Sequence, residues 1–127
     1  MSDEPREERV FTVEEANAML EDLRPTLEAM QRARKVVLAS AERVRGSVAG
    51  NGGGKPAGEY AEALELLGRE TERLSAEGML LRDVDAGLVD FPGEREGQPV
   101  FLCWKLGEDE VGFWHPVDTG FSDRRPL

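Results

Sequence analysis

The chain's single histidine, His115, is followed three residues later by Asp118. Asp90 and Glu94 lie upstream, in an extended stretch that can be folded back beside it. One imidazole with two or three carboxylates is a donor set for a divalent metal such as Zn²⁺, Mn²⁺ or Fe²⁺. The same groups could act instead as a general acid–base pair. The signal is not specific, because there is no HExxH, no second histidine and no CxxC. The plainer alternative is an imidazole packed beside Trp114 and hydrogen-bonded to one carboxylate.

Three other groups invite a chemical reading. Cys103 stands between Leu102 and Trp104, and burial in an apolar strand raises a thiol pKa, so a structural cysteine is expected rather than a nucleophile. Trp104 and Trp114 on neighbouring strands could form an aromatic ligand platform, or a cross-strand pair that only stabilises the sheet. Arg124 and Arg125 each carry a planar fork that matches carboxylates. They are read first as a clamp holding the C-terminal tail to Asp83, Asp85 or Asp90, and second as an anion-binding pair.

The elements that must position these residues follow from the patterning. Thr12 with Glu15 three residues on is a capping box, which starts a helix. Its apolar positions are Val13, Ala16, Leu20, Leu23, Leu27, Met30, Val37, Ala41, Val44 and Val48, a seam of alternating threes and fours with Arg34 as the polar exception. Pro25 removes one helical hydrogen bond, and the unbroken phase predicts one helix kinked there. Residues 46–58, GSVAGNGGGKPAG, are a flexible loop, and Lys55 before Pro56 excludes a Walker loop. A second helix is predicted over 59–77, with Tyr60, Leu64, Leu67, Thr71 and Leu74 on its apolar face and Gly78 as terminator.

After Gly78 the period becomes two. MLLRDVDAGLVDFP reads as one extended stretch bent at Ala86–Gly87, followed by the strands PVFLCWKL and VGFWHPV. The expected fold is α+β: a long antiparallel helical hairpin (12–77) packed on a three-stranded antiparallel meander with a C-terminal tail (78–127). Residues 1–9 are an acidic, disordered start, and 10–127 form one domain. Both strand faces are apolar, and a hairpin covers only one. The second face calls for the tail, a ligand or a second copy of the chain, and a homodimer is the simplest solution.

Charge narrows the partners. The net charge is −10, from 26 acidic and 16 basic residues, with no basic stripe to release counterions from nucleic acid and none to dock on an anionic membrane. A lone cysteine, an acidic polar start and the lack of an apolar run of spanning length point to the cytoplasm. The arginine-over-lysine bias points to a bacterial source.

Several motifs together resemble one family. They are Phe11-Thr-Val-Glu-Glu-Ala-Asn, Gly87-Leu-Val-Asp-Phe-Pro, Leu102-Cys-Trp-Lys, Trp114-His and Gly120-Phe…Arg125-Pro-Leu. The combination looks like the uncharacterised prokaryotic family catalogued as domain of unknown function 2203, over about residues 10–127. The resemblance implies a small cytoplasmic domain and no activity. The leading functional expectation is therefore a self-associating structural or protein-interaction domain. The competing one is a metal-dependent or acid–base hydrolase built on His115, Asp118, Asp90 and Glu94.

Overall fold

A computed structural model describes residues 9–46 and 55–127, with side chains for 9–43 and 58–127. The expected disordered start and most of the expected glycine-rich loop lie outside these residues. The capping box forms as read: the Glu15 N–H donates to Thr12 Oγ1 at 3.0 Å and the Thr12 N–H to Glu15 Oε1 at 2.9 Å. It opens α1 (Val13–Ala18), which Met19 separates from α2 (Leu20–Gly46). The interruption falls at Met19, where the N–H turns back to Ala16 O at 3.1 Å, and α2 runs on through Pro25. There α1 turns onto the sheet layer, with Asn17 Oδ1 accepting from the Val111 N–H at 2.7 Å.

Helix α3 (Lys55–Ala76) begins earlier than expected, because Pro56 sits in the first turn, where a missing N–H costs nothing. The two long helices are antiparallel. Arg73 near the end of α3 reaches Asp22 (3.0 Å) and Thr26 (2.9 Å) near the start of α2, and Arg43 far along α2 reaches Glu59. Leu20, Leu23, Leu27 and Met30 are buried as the seam requires, each worth ~1.5–3 kcal/mol. Beyond Met30 the buried line moves to Ala33 and Ser40 instead of Arg34 and Ala41. Among the described side chains of α3 the buried positions are Ala63 and Leu74, and Leu64, expected on the apolar face, is exposed. Gly78 (φ +95°) ends α3 in a Schellman arrangement, with Met79 N–H on Leu74 O and Gly78 N–H on Ser75 O, both 3.0 Å.

The sheet has five strands, not three: β1 (Leu80–Asp83), β2 (Leu88–Arg95), β3 (Gln98–Lys105), β4 (Phe113–Pro116) and β5 (Arg125–Pro126), antiparallel in sequence order. The single extended stretch expected first is a hairpin, because Gly87 at φ +67° reverses the chain completely rather than bending it. Glu96 (φ 53°) and Gly97 (φ 79°) make the two-residue turn between β2 and β3.

Val89, Phe91, Val100, Leu102 and Trp104 face the helices and fill the core with Phe11, Leu20, Leu23, Leu27 and Leu74. The alternate residues, Asp90, Phe101, Cys103, Phe113 and His115, form the outer face. The tail covers part of it: residues 117–121 stand beside Asp90, and Arg124 lies over the rings of Phe113 (4.0 Å) and Phe121 (4.4 Å), while β5 extends the sheet beside β4. The second apolar face is thus covered at least in part from within the chain. No described helix is long and apolar enough to cross a membrane.

Candidate metal centre

Register brings the chemistry together. On β2 and β3, Asp90 and Cys103 are direct cross-strand partners. On β4, His115 pairs with Phe101, two residues from Cys103 on the same face. One donor atom from each of Asp90, Cys103 and His115 lies within 4.8 Å of the other two. All three are buried, at 3%, 0% and 1% exposure.

The hydrogen bonds around this trio are incomplete in an informative way. His115 Nδ1 lies 2.8 Å from Pro116 O, and a carbonyl can only accept, so Nδ1 carries the proton. Nε2 then faces Asp90 Oδ2 at 3.1 Å. In the neutral imidazole both of those atoms are acceptors. Arg82 Nε donates to the same Oδ2 at 2.9 Å. Asp90 Oδ1 is buried and has no hydrogen-bond partner among the described residues. A buried polar atom left unpaired costs ~1–3 kcal/mol. A cation among the three donors would resolve both features, and an imidazole that donates its other N–H to a backbone carbonyl is the usual support for a metal ligand.

The Cys103 thiol is pushed up to about 12, first by burial, then by the charge of Asp90 and hydrogen bonding to its carboxylate, with Arg124 opposing. It is therefore not an activated nucleophile. Neither ring nitrogen of His115 is turned to it as a base, since one meets Pro116 and the other Asp90. A Cys–His–Asp hydrolytic triad does not fit. A metal ligand fits better, because an ion displaces the thiol proton and the Arg124 guanidinium beside the sulfur favours the thiolate.

The other residues singled out in the sequence lie around this centre or away from it. Asp118 is exposed and lines a cavity of about 430 Å³ together with Asp90, Arg82, Leu88 and residues 117–121. Glu94 is four residues along β2 from Asp90, ~13 Å at 3.3 Å per residue, and exposed. Trp104 is wholly buried, its indole N–H donating to Glu108 O at 3.1 Å. Trp114 is flanked by Arg95 (4.8 Å) and Arg125 (5.1 Å), and its indole N–H is buried without a partner among the described residues. Arg124 does clamp the tail, but onto Glu108, bidentately at 3.2 and 2.8 Å, and not onto the acidic strand. Arg125 pairs with Asp123, and Asp85 is held by Arg34.

The residue that sequence reasoning left out of the site is Cys103. The signal for it was the hairpin register, since a two-residue turn at Glu96–Gly97 fixes Cys103 opposite Asp90. Arg82 was also missed. It is the extra residue of a bulge between Leu81↔Val89 and Asp83↔Leu88, a feature no local pattern announces.

A model of one protein family, described as an uncharacterized conserved protein (DUF2203), matches residues 9–127. No curated protein and no solved structure matches the chain.

Proposed function

We propose, for a chain that belongs to the uncharacterized family DUF2203, a function resting on one thiophilic divalent ion of the zinc class, held by Asp90, Cys103 and His115. The observation that carries it is the meeting of oxygen, sulfur and nitrogen donors on three adjacent strands, all buried, around the carboxylate oxygen Asp90 Oδ1, which has no hydrogen-bond partner among the described residues. The thiol in the set selects Zn²⁺ or Fe²⁺ over Mn²⁺, Mg²⁺ or Ca²⁺. Three protein donors and a neighbouring cavity favour a catalytic ion over a closed structural one. Such an ion supplies Lewis acidity toward a carbonyl or phosphoryl oxygen. Asp118, on the cavity wall, is the carboxylate for proton transfer in this reading, which makes the chain a metal-dependent hydrolase.

Self-association has less to support it. Its motive was an uncovered sheet face, and residues 117–121 with Arg124 cover part of that face. Exposed Leu38 and Leu64 on the helical hairpin are what it retains.

The test is metal analysis of the purified protein together with Co²⁺ substitution. One ion per chain is expected, and the Co²⁺ form should show a sulfur-to-metal charge-transfer band. Cys103→Ser should abolish the band, and His115→Ala should abolish stoichiometric binding. Wild-type protein that takes up no ion after refolding with excess Zn²⁺ or Co²⁺ would end the proposal.

A further inference from the structure

We infer that the cavity beside Asp90 binds a small organic anion, a carboxylate or a phosphate ester, gripped jointly by the bound ion and by the terminal nitrogens of Arg82. This rests on the metal reading above. Asp90 is the member of the trio that reaches the cavity wall. Arg82 stands next to it, and its guanidinium is fixed on two sides: Nε donates to Asp90 Oδ2 at 2.9 Å, and Cζ sits 5.0 Å from the centre of the Phe101 ring. Its two terminal nitrogens make no hydrogen bond among the described residues, and the side chain is 42% exposed. A guanidinium held in place by its inner edge and face, with its outer edge free, is a preorganised fork for carboxylate or phosphate oxygens.

Charge makes the binding conditional. Without an ion, Arg82 shares the cavity with two carboxylates, Asp90 and the exposed Asp118, and an anion is repelled. A divalent ion on Asp90 reverses the balance at the end of the cavity where Arg82 sits, so anion and ion bind together. The volume of about 430 Å³ falls in the range of small-molecule sites, ~300–1,000 Å³. Leu88, Val117 and Phe121 give it apolar walls for the body of an organic anion. The ligand is thus an anionic head on a short apolar body, not a large polyanion.

The experiment uses the full chain saturated with Co²⁺ and follows the visible spectrum while inorganic phosphate or butyrate is added. At least one of the two should shift the spectrum with saturation, and butyrate binding more tightly than acetate would assign the apolar walls to the ligand body. Metal-free protein, followed by calorimetry, should bind neither. At saturating Co²⁺, Arg82→Gln should weaken the anion at least tenfold. Arg82→Lys, which keeps the charge and loses the fork, should fall between that variant and wild type. A normal Co²⁺ spectrum that neither anion alters would overturn this inference and leave the metal site standing. So would anion affinity in Arg82→Gln equal to wild type. Failure of wild-type protein to take up Co²⁺ would overturn both.

Discussion

Asp90 combines features that rarely occur together in a stable core. It is 3% exposed, its side-chain hydrogen bonds with Arg82 and His115 both fall on Oδ2, and Oδ1 has none among the described residues. Burying a carboxylate is costly unless each oxygen is satisfied. Its retention beside a thiol and an imidazole makes sense as the cost of a site. Asp90→Asn keeps the shape and removes the charge. Its Zn²⁺ affinity should fall at least about a hundredfold, as expected for a ligand when supporting partners alone are worth 10–100-fold. The metal-free form should change by less than about 1 kcal/mol, because a poorly compensated charge is removed with it. Competition with a chromophoric chelator measures the first and urea unfolding the second. A variant that keeps wild-type Zn²⁺ affinity would remove Asp90 from the ligand set. Zinc at a hundred times its dissociation constant should stabilise the wild-type fold by about 2.7 kcal/mol, an increment that Asp90→Asn should lose.

At the scale of elements, the site depends on two tight turns that set register. Glu96–Gly97 aligns Asp90 with Cys103, and Gly87 aligns the bulge that presents Arg82. At Gly87 an added Cβ would meet Leu106 Cβ at 2.5 Å, on a residue already at φ +67°. Gly87→Ala should therefore destabilise by about 2 kcal/mol or more, combining the left-handed penalty of ~1–2 kcal/mol with the clash. It should also weaken metal binding, since β1 and β2 share this turn. Gly97→Ala meets nothing within 4 Å and should cost only the backbone term, ~1 kcal/mol. Equal losses in the two variants, read by urea unfolding, would show that the approach to Leu106 is unimportant. Elements written in local chemistry were legible in the sequence: the capping box, the helical seam to Met30, the Gly78 stop and strand β3. What was not legible depends on partners distant in the chain. Beyond Met30, Gln31 and Arg34 still bond Val84 and Asp85 in the turn after β1, and the buried line of α2 moves to Ala33 and Ser40. His115 and Asp90 could be named as candidates, but Cys103 read as a structural thiol because its neighbours in sequence face the core while it faces the other way.

For the whole molecule, the question is how an ion reaches three buried donors. The helical side of the sheet is closed by the core, and the outer side is covered in part by the tail. Asp90 stands at the wall of the cavity that Arg82 and Leu88 share with residues 117–121, so exchange through that cavity passes beside the tail. One residue ties that tail to the site. Arg124 holds Glu108 through two hydrogen bonds, stacks on Phe113 and Phe121, and places its guanidinium beside the Cys103 sulfur. Its side chain is 14% exposed and that of Glu108 25%, so this pair is better shielded than an ordinary surface bridge. Arg124→Ala should lower the stability of the metal-free protein by about 1–3 kcal/mol, the range for a charge-assisted bond lost together with its packing. It should also speed Zn²⁺ release to a chelator at least tenfold, because the cover opens more often and the thiolate loses its cationic neighbour. Arg125→Ala is the control: it breaks an exposed pair with Asp123 and a contact with the Trp114 ring, and should change stability by no more than about 1 kcal/mol, with release unchanged. Stopped-flow release into excess chelator, run on both variants, separates the two parts of the argument. Lower stability with unchanged release in Arg124→Ala would make the tail a brace for the sheet and put the ion's path elsewhere. Faster release confined to that variant would make the same ten-residue segment, 117–126, both part of the cover of the second sheet face and the gate to the metal centre.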